Sequence, residues 1–367
     1  MAENLNGLRG ALIGFGYAQR DIHLPTYLQR AKESRGVEIV AVADASDARR
    51  GLISQHLPEA RVYTDYDILI EQERENLDFV DIATPPSFHP EIATSAMENG
   101  LHVLMETPLA LSSTELMGLI KKAKETKRVL YPCHLYQHMP TVKALKTELD
   151  AGRIGRTRSV TINMFRNTHE RGVPEWQTHW RRDPKFSGGG IVMGEAIQGI
   201  YLTLAWMKSL PTELTAKIRN TDNENYDTED NLSASLTFPN GWAQLQISWT
   251  AGICKDLFTV HGERGAIRIE DDDIEVSMMQ ETGGEELPHG AVTWVKERRN
   301  LFSESQTSHL SQGFDPLFEQ FTHSIDRGEY AGQETRDAYL CLHIAEKIYE
   351  SAKNKCQEVE LQTDVSL

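Results

Sequence analysis

Apolar and polar positions alternate along the first 130 residues in the rhythm of strand and helix. Leu8 to Ile13 is a short apolar run that stops at Gly14. A helix is predicted from about Ala18 to Ser34, then a second buried strand from Val37 to Ala43, ending at Asp44. A further helix leads to a short strand near Val62, and the apolar stretch LDFVDIAT forms a third long strand before Pro85 and Pro86. The helix in HPEIATSAMENG closes at Gly100, a C-cap signal. His102 to Met105 is a strand, a helix follows from about Ser112, and Val129 to Tyr131 is another strand. Strands separated by helices imply a parallel sheet covered on both faces.

After about residue 133 the period changes. A helix is predicted at 140–152. Strand-like alternation then appears in TRSVTINMFR, LTAKIRN, NLSASLTF, WAQLQISWT and LFTVHGERGAIRIE. Turn signals at Pro239-Asn240-Gly241 and between Gly262 and Gly265 separate them. This is the pattern of a mostly antiparallel sheet. A helix at about 335–353 precedes a last strand, QEVELQ. Residues 271–310, with Asp271, Asp272 and Asp273 in a row, are expected to be an exposed, loop-rich insertion. The expected division is an α/β domain over 1–131 and an α+β domain over 132–367.

Composition narrows the function. A net charge of -16 argues against nucleic acid, which needs clustered Lys and Arg. No run of eighteen apolar residues is present and the N-terminus has no signal-peptide core, so a soluble cytoplasmic protein without a membrane partner is expected. Cys133, Cys254, Cys341 and Cys356 are scattered, which favours neither a metal site nor a disulfide framework.

Gly14-Phe15-Gly16-Tyr17-Ala18-Gln19 lies between the first strand and the first helix. Gly14 permits a tight turn, and Gly16 lets the backbone approach a pyrophosphate at a helix N-terminus. Gln19 replaces the usual third glycine. Asp44, at the end of the second strand, is placed to accept ribose hydroxyls and repel a 2'-phosphate, favouring NAD over NADP. Alternatively it is an ordinary loop acid, and Arg49 and Arg50 leave NADP open. The Pro85-Pro86 turn sits at the sheet edge where ligands of such folds bind.

Together with ENGLHVLMETPLA, AGRIG, WRRDPKFSGGG and the ending AEKIYESAKNKCQEVEL, these pieces resemble the Gfo/Idh/MocA oxidoreductases, in order along nearly the whole chain. The resemblance implies a Rossmann domain, a C-terminal domain with a large open sheet, and NAD or NADP. It implies a sugar- or cyclitol-like small substrate and a homodimer or homotetramer joined through the sheets. By position it places Gly14, Phe15, Gly16, Tyr17 and Ala18 at the pyrophosphate and Asp44 at the adenosine ribose. Thr84, Pro85 and His89 would lie along the cofactor, with Glu106 and Thr107 by the nicotinamide. Trp180 and Arg181 would reach the cofactor, although Trp180 is equally a core residue by size.

The sequence departs from the family where protons are handled. Family members usually have a lysine between Glu106 and Pro108; here it is Thr107. The aspartate and histidine usual after the triple glycine fall at Gly194 and Gln198. Thr107 is a poor base and Gln198 does not titrate. Replacement candidates are Glu195, one position along, and the His134, Tyr136 and His138 set, which on a strand would share one face. Arg166, His169, His179 and Gln198 are candidate substrate contacts. Two functions remain: an oxidoreductase with non-standard acid/base groups and net or transient redox chemistry, or a cofactor-binding protein without dehydrogenase activity.

Overall fold

In the computed structural model, residues 7–167, 179–221, 226–280, 293–301 and 309–361 are described. Six parallel strands form the first sheet. They are β1 (Leu8–Ile13), β2 (Val37–Ala43), β3 (Arg61–Tyr63), β4 (Phe79–Ile82), β5 (His102–Met105) and β6 (Leu130–Pro132). Their spatial order is β3-β2-β1-β4-β5-β6, so the chain reverses direction across the sheet between β1 and β4. That crevice is where ligands of doubly wound sheets bind. β4 is buried at every position because helices cover both faces, which is why its sequence is a continuous apolar run apart from Asp81. The covering helices are α1 (Leu24–Lys32), α2 (Asp47–His56), α3 (Tyr66–Glu73), α4 (His89–Glu98) and α5 (Ser113–Thr126). Ser112 caps α5 by accepting from the Glu115 amide, and Gly100 takes φ +85° just past α4.

After α6 (Pro140–Asp150) comes β7 (Thr157–Phe165). The short helix α7 (Pro184–Ser187) and the long helix α8 (Ile197–Met207) separate β7 from the strands β8 (Glu213–Arg219), β9 (Asn231–Phe238), β10 (Gly241–Ser248), β11 (Lys255–Gly262) and β12 (Gly265–Glu270). With β13 (Asp273–Gln280), β14 (Thr293–Asn300) and β15 (Val359–Glu360) they form a nine-stranded sheet in the order β14-β13-β12-β11-β7-β10-β9-β8-β15. Only β7 and β10 pair in parallel; the other neighbours are antiparallel. Along β9 every second residue is buried, so one face meets α8 and the core while the other stays open. The stretch Pro184–Met207 has the length and composition of a membrane span, but 83% of its apolar window is buried inside the fold. The expected α/β architecture with a second, mostly antiparallel sheet is the one observed.

Three local expectations change, and one further helix is found. The helix predicted from Ala18 opens with a wider π turn, Ala18–His23, before α1. Within the expected loop-rich insertion over 271–310, 281–292 and 302–308 lie outside the described residues, and the described residues supply β13 and β14, which extend the sheet edge. Their alternation is carried partly by charge pairs, Arg298 with Asp273 and Lys296 with Glu275, which an apolar count overlooks. Residues 134–138 are not a strand but a 3-10 turn, Leu135–His138, so His134, Tyr136 and His138 do not share a strand face. Finally, α9 (His309–Arg327) precedes α10 (Gln333–Lys353). Gly313 and Pro316 disguise α9 in the sequence, yet its Phe314, Phe318 and Phe321 are sealed against Tyr27 and Phe79 of the first domain.

Candidate functional site

The glycine turn leaves β1 with Gly14 at φ +89°. A Cβ there would lie 2.8 Å from the Ala83 carbonyl oxygen and 3.0 Å from Thr84, so close packing against the end of β4 also demands glycine. Asp44 pins this turn: one carboxylate oxygen accepts from the Phe15 amide at 2.7 Å and the other from the Ser46 amide at 2.8 Å. The Arg49 guanidinium lies 3.7 Å from Asp44 and packs beneath Gly16, where a Cβ would meet it at 3.1 Å. Above this floor is a cavity of about 550 Å³, lined by Gly14, Gly16, Tyr17, Asp44, Thr84 and Trp180 among others. Ala18, Pro85 and Arg181 also line it, and Arg181 stacks over the Trp180 ring at 4.3 Å. Trp180 is therefore a cavity wall, half-buried, rather than core.

Four cofactor candidates, Phe15, His89, Glu106 and Thr107, are not among the residues that line the cavity. Phe15 is 1% exposed and offers its backbone alone. His89 is buried between the carbonyls of Thr84, at 2.8 Å, and Pro108, at 2.9 Å, and braces the two loops. Burial lowers its pKa, against a smaller upward pull from those carbonyls.

Thr107 and Gln198 meet. The Gln198 Nε2 donates to Thr107 Oγ1 at 2.9 Å, while Gln198 Oε1 is buried without a partner among the described residues. His134 faces this amide. It is fully buried, stacks on Tyr201 at 4.1 Å, and has neither ring nitrogen in hydrogen-bonding geometry with a described residue. Burial pushes its pKa down to about 3, so the ring is neutral and a weak base.

Three other candidates, Tyr136, Arg166 and Glu195, converge with Asp256 and Trp249, which sequence patterns do not mark. Arg166, just past β7, donates to the Tyr136 hydroxyl at 3.0 Å and pairs with Asp256 at 2.8 Å and Glu195 at 3.3 Å. Trp249 Nε1 donates to the other Glu195 oxygen at 2.8 Å. The Trp249 ring also fills the space beside Gly194, where a Cβ would lie 3.0 Å from it. Position 194 thus has no room for a carboxylate without displacing an indole that is 2% exposed. Burial drives the Tyr136 pKa far up, and the neighbouring Asp256 and Glu195 add to this against a smaller opposing pull from Arg166. The phenol keeps its proton, and because its oxygen accepts from Arg166, that proton is free to be donated elsewhere. Asp256 and Trp249 lie at strand ends, where no sequence motif marks them.

The triple glycine is explained by packing: Cβ atoms at Gly189 and Gly190 would collide with the Tyr349 hydroxyl and the Glu229 carbonyl. Buried Glu229 accepts from the Gly190 amide at 2.8 Å and from Tyr349 at 2.7 Å, fixing the entry into α8 and hence Gln198. His179 is exposed beside Trp180, and His169 lies outside the described residues.

Comparison with known proteins agrees with this geometry. The family model for the oxidoreductase family with an NAD-binding Rossmann fold matches residues 8–134, and that for the GFO/IDH/MocA C-terminal domain matches 142–268. Oxidoreductase P35 of Formosa agariphila is 28% identical over 206 residues, 56% of this chain and 62% of that relative, so the match spans under two thirds of its length. The D-xylose 1-dehydrogenase (NADP(+)) 2 of Haloferax volcanii is 23% identical over 86% of this chain and 90% of its own. Levoglucosan dehydrogenase, solved with NADH and L-sorbose, superposes with a TM-score of 0.80 at 19% identity over 98% of this chain and 100% of its own. The matching models, in the order of the two sheets, establish that the chain belongs to the Gfo/Idh/MocA family of NAD-binding oxidoreductases.

Proposed function

We propose that the protein is an NAD(P)-dependent oxidoreductase acting on a carbinol of a small, sugar- or cyclitol-like molecule. The observation that carries this is the cavity over the glycine turn, where Gly14 and Gly16 allow the close backbone approach that an anionic pyrophosphate needs. Gly14 to Ala18 would hold the pyrophosphate and Asp44 the adenosine ribose. Thr84, Pro85, Glu106, Trp180 and Arg181 would flank the rest. NAD is the expected cofactor, with Arg49 leaving room for NADP. When bound, the nicotinamide donates or accepts the hydride.

The chain's own part is binding and proton transfer. Thr107 and Gln198 take a substrate hydroxyl without titrating, and neutral His134 is buried beside them. Tyr136 moves the proton. In the reducing direction its hydroxyl protonates the forming alkoxide, and Arg166 stabilises the phenolate left behind. Glu195 and Asp256 hold Arg166 in place. Net oxidation, and transient oxidation with return of the hydride, would use the same groups. Arg166, His169 and His179 remain proposed substrate contacts. The domain over 132–367 would provide this pocket and, through the open face of the nine-stranded sheet, a homodimer or homotetramer of a cytoplasmic enzyme.

A second reading, cofactor binding without dehydrogenase chemistry, draws on the absence of an ionisable side chain at Thr107, Gly194 and Gln198. One experiment separates the two. The purified protein is titrated with NAD(H) and NADP(H), then mixed with polyols and keto sugars while the absorbance of reduced nicotinamide is followed. Binding with turnover supports the enzyme; binding without turnover supports the second reading; no binding sinks both.

A further inference from the structure

His23 closes the π turn after the glycine loop and is completely buried. Its Nδ1 lies 2.9 Å from Asp81 Oδ2 on β4, and its Nε2 lies 2.9 Å from Glu106 Oε1 just past β5. Tyr27 donates to the same Asp81 oxygen at 2.8 Å, and Gln19 donates to the Asp81 carbonyl at 3.0 Å. The imidazole stacks face to face on Phe314 of α9 at 3.9 Å. Ionised carboxylates only accept, so carboxylates on both ring nitrogens require both nitrogens to carry hydrogen. The ring is thus held as a cation between two anions.

Cys133 adds a thiol nearby, and His23, Glu106 and Cys133 bring potential metal-ligand atoms within 4.8 Å of one another. Both imidazole nitrogens already serve the carboxylates, so the cluster is better described as a charge network than as a metal cage. Within it Asp81 is sealed from solvent, whereas the Glu106 side chain is 22% exposed and its second oxygen accepts from the Thr107 amide at 3.2 Å. The network therefore presents one oriented carboxylate at the sheet edge, across the β1–β4 crevice from Asp44.

A dinucleotide anchored at Gly14–Ala18 with its adenosine over Asp44 must run its other half across the ends of β4 and β5. The ribose hydroxyls there need an acceptor, and Glu106 is the acid of this network that reaches solvent. We propose that His23 is a positioning residue for the cofactor: a buried cation that holds Glu106 oriented toward the nicotinamide ribose. This rests on the cofactor reading above.

The test is calorimetric binding of AMP, NAD+ and NADH to the wild type, His23→Gln, Glu106→Gln and the double variant. AMP lacks the nicotinamide half. NAD+ and NADH should each weaken about tenfold in both single variants, as expected for loss of one charge-assisted hydrogen bond. AMP affinity should hold, and the double variant should bind no more weakly than Glu106→Gln alone. Unchanged NADH affinity, equal loss for AMP, or additive losses would overturn the role. If the wild type binds AMP but not NADH, this inference fails with AMP recognition intact; if it binds neither, the cofactor reading itself fails.

Should His23→Gln not fold, the wild type decides. Its NADH-to-AMP affinity ratio should drop about tenfold as pH rises through about 9, where His23, faced by Asp81, Glu106, Tyr27 and Cys133, loses its proton. Glu106→Gln should show no such drop. A flat wild-type ratio would overturn the inference.

Discussion

The two halves of the cleft are built on different principles. Over β1 and β2, backbone geometry sets the site: a glycine with positive φ and an aspartate that ties the turn to the next strand through backbone amides. Beyond β5, side-chain partnerships set it: Thr107 with Gln198, and Arg166 among Tyr136, Glu195 and Asp256. Backbone-built sites tolerate sequence change around them, because amides are supplied by any residue. Side-chain sites can be rebuilt, and here the Trp249 ring occupies the space beside Gly194.

The sharpest way to break this contrast is Tyr136→Phe. Loss of the proton donor should cut kcat about 10²–10⁴-fold while leaving the Kd for NADH unchanged. An equal effect on both would mean the halves are not separable. Next is Gly14→Val, which forces a β-branched side chain into φ +89° and against the Ala83 carbonyl. NADH affinity should fall at least about tenfold, with a loss of about 1–3 kcal/mol in stability, read by calorimetry and thermal melting.

The His23 network ties the cofactor half to α9 and gives it a pH signature. Burial alone would lower the His23 pKa, but Asp81 and Glu106 outweigh it and raise it to about 9. The folded value lies above the unfolded one of about 6.5, so the stabilisation is complete below that pH and disappears as pH rises through 9. Roughly 3 kcal/mol is at stake. Denaturant melts of wild type and His23→Gln should differ most below neutral pH and converge above 9. The smallest effect is expected at Gly194→Ala. The added methyl needs the Trp249 ring to give by a few tenths of an ångström, a cost of about 1 kcal/mol. Thr107→Lys alone should not create a faster enzyme, since Gln198 and Trp249 remain in place.

The sequence made the backbone-built half legible. Apolar strands that stop at Gly14 and Asp44 mark the edge of the first sheet, because the β-α rhythm fixes where strand ends gather. The side-chain half was legible only in pieces. Tyr136, Arg166 and Glu195 are separate candidates in the sequence, and the pairing of Arg166 with Asp256, 90 residues on, is a product of β7 and β11 lying side by side. His134 was identified, but its burial and neutral state come from Tyr201 and the core above it. His23 was hidden inside a motif whose glycines drew the attention. β13 and β14 were obscured by the charge that pairs them, and α9 by its Gly and Pro.

The central claim is that cofactor binding and proton transfer reside in separable halves, with Tyr136 as the proton-transfer group. It is tested most directly by loading wild type and Tyr136→Phe with NADH and following reduced-nicotinamide absorbance after mixing with keto sugars. The expected result is equal NADH binding, with decay of absorbance in the wild type and at least about a hundredfold slower decay in the variant. Equal decay rates, or failure of the wild type to bind NADH, would contradict it.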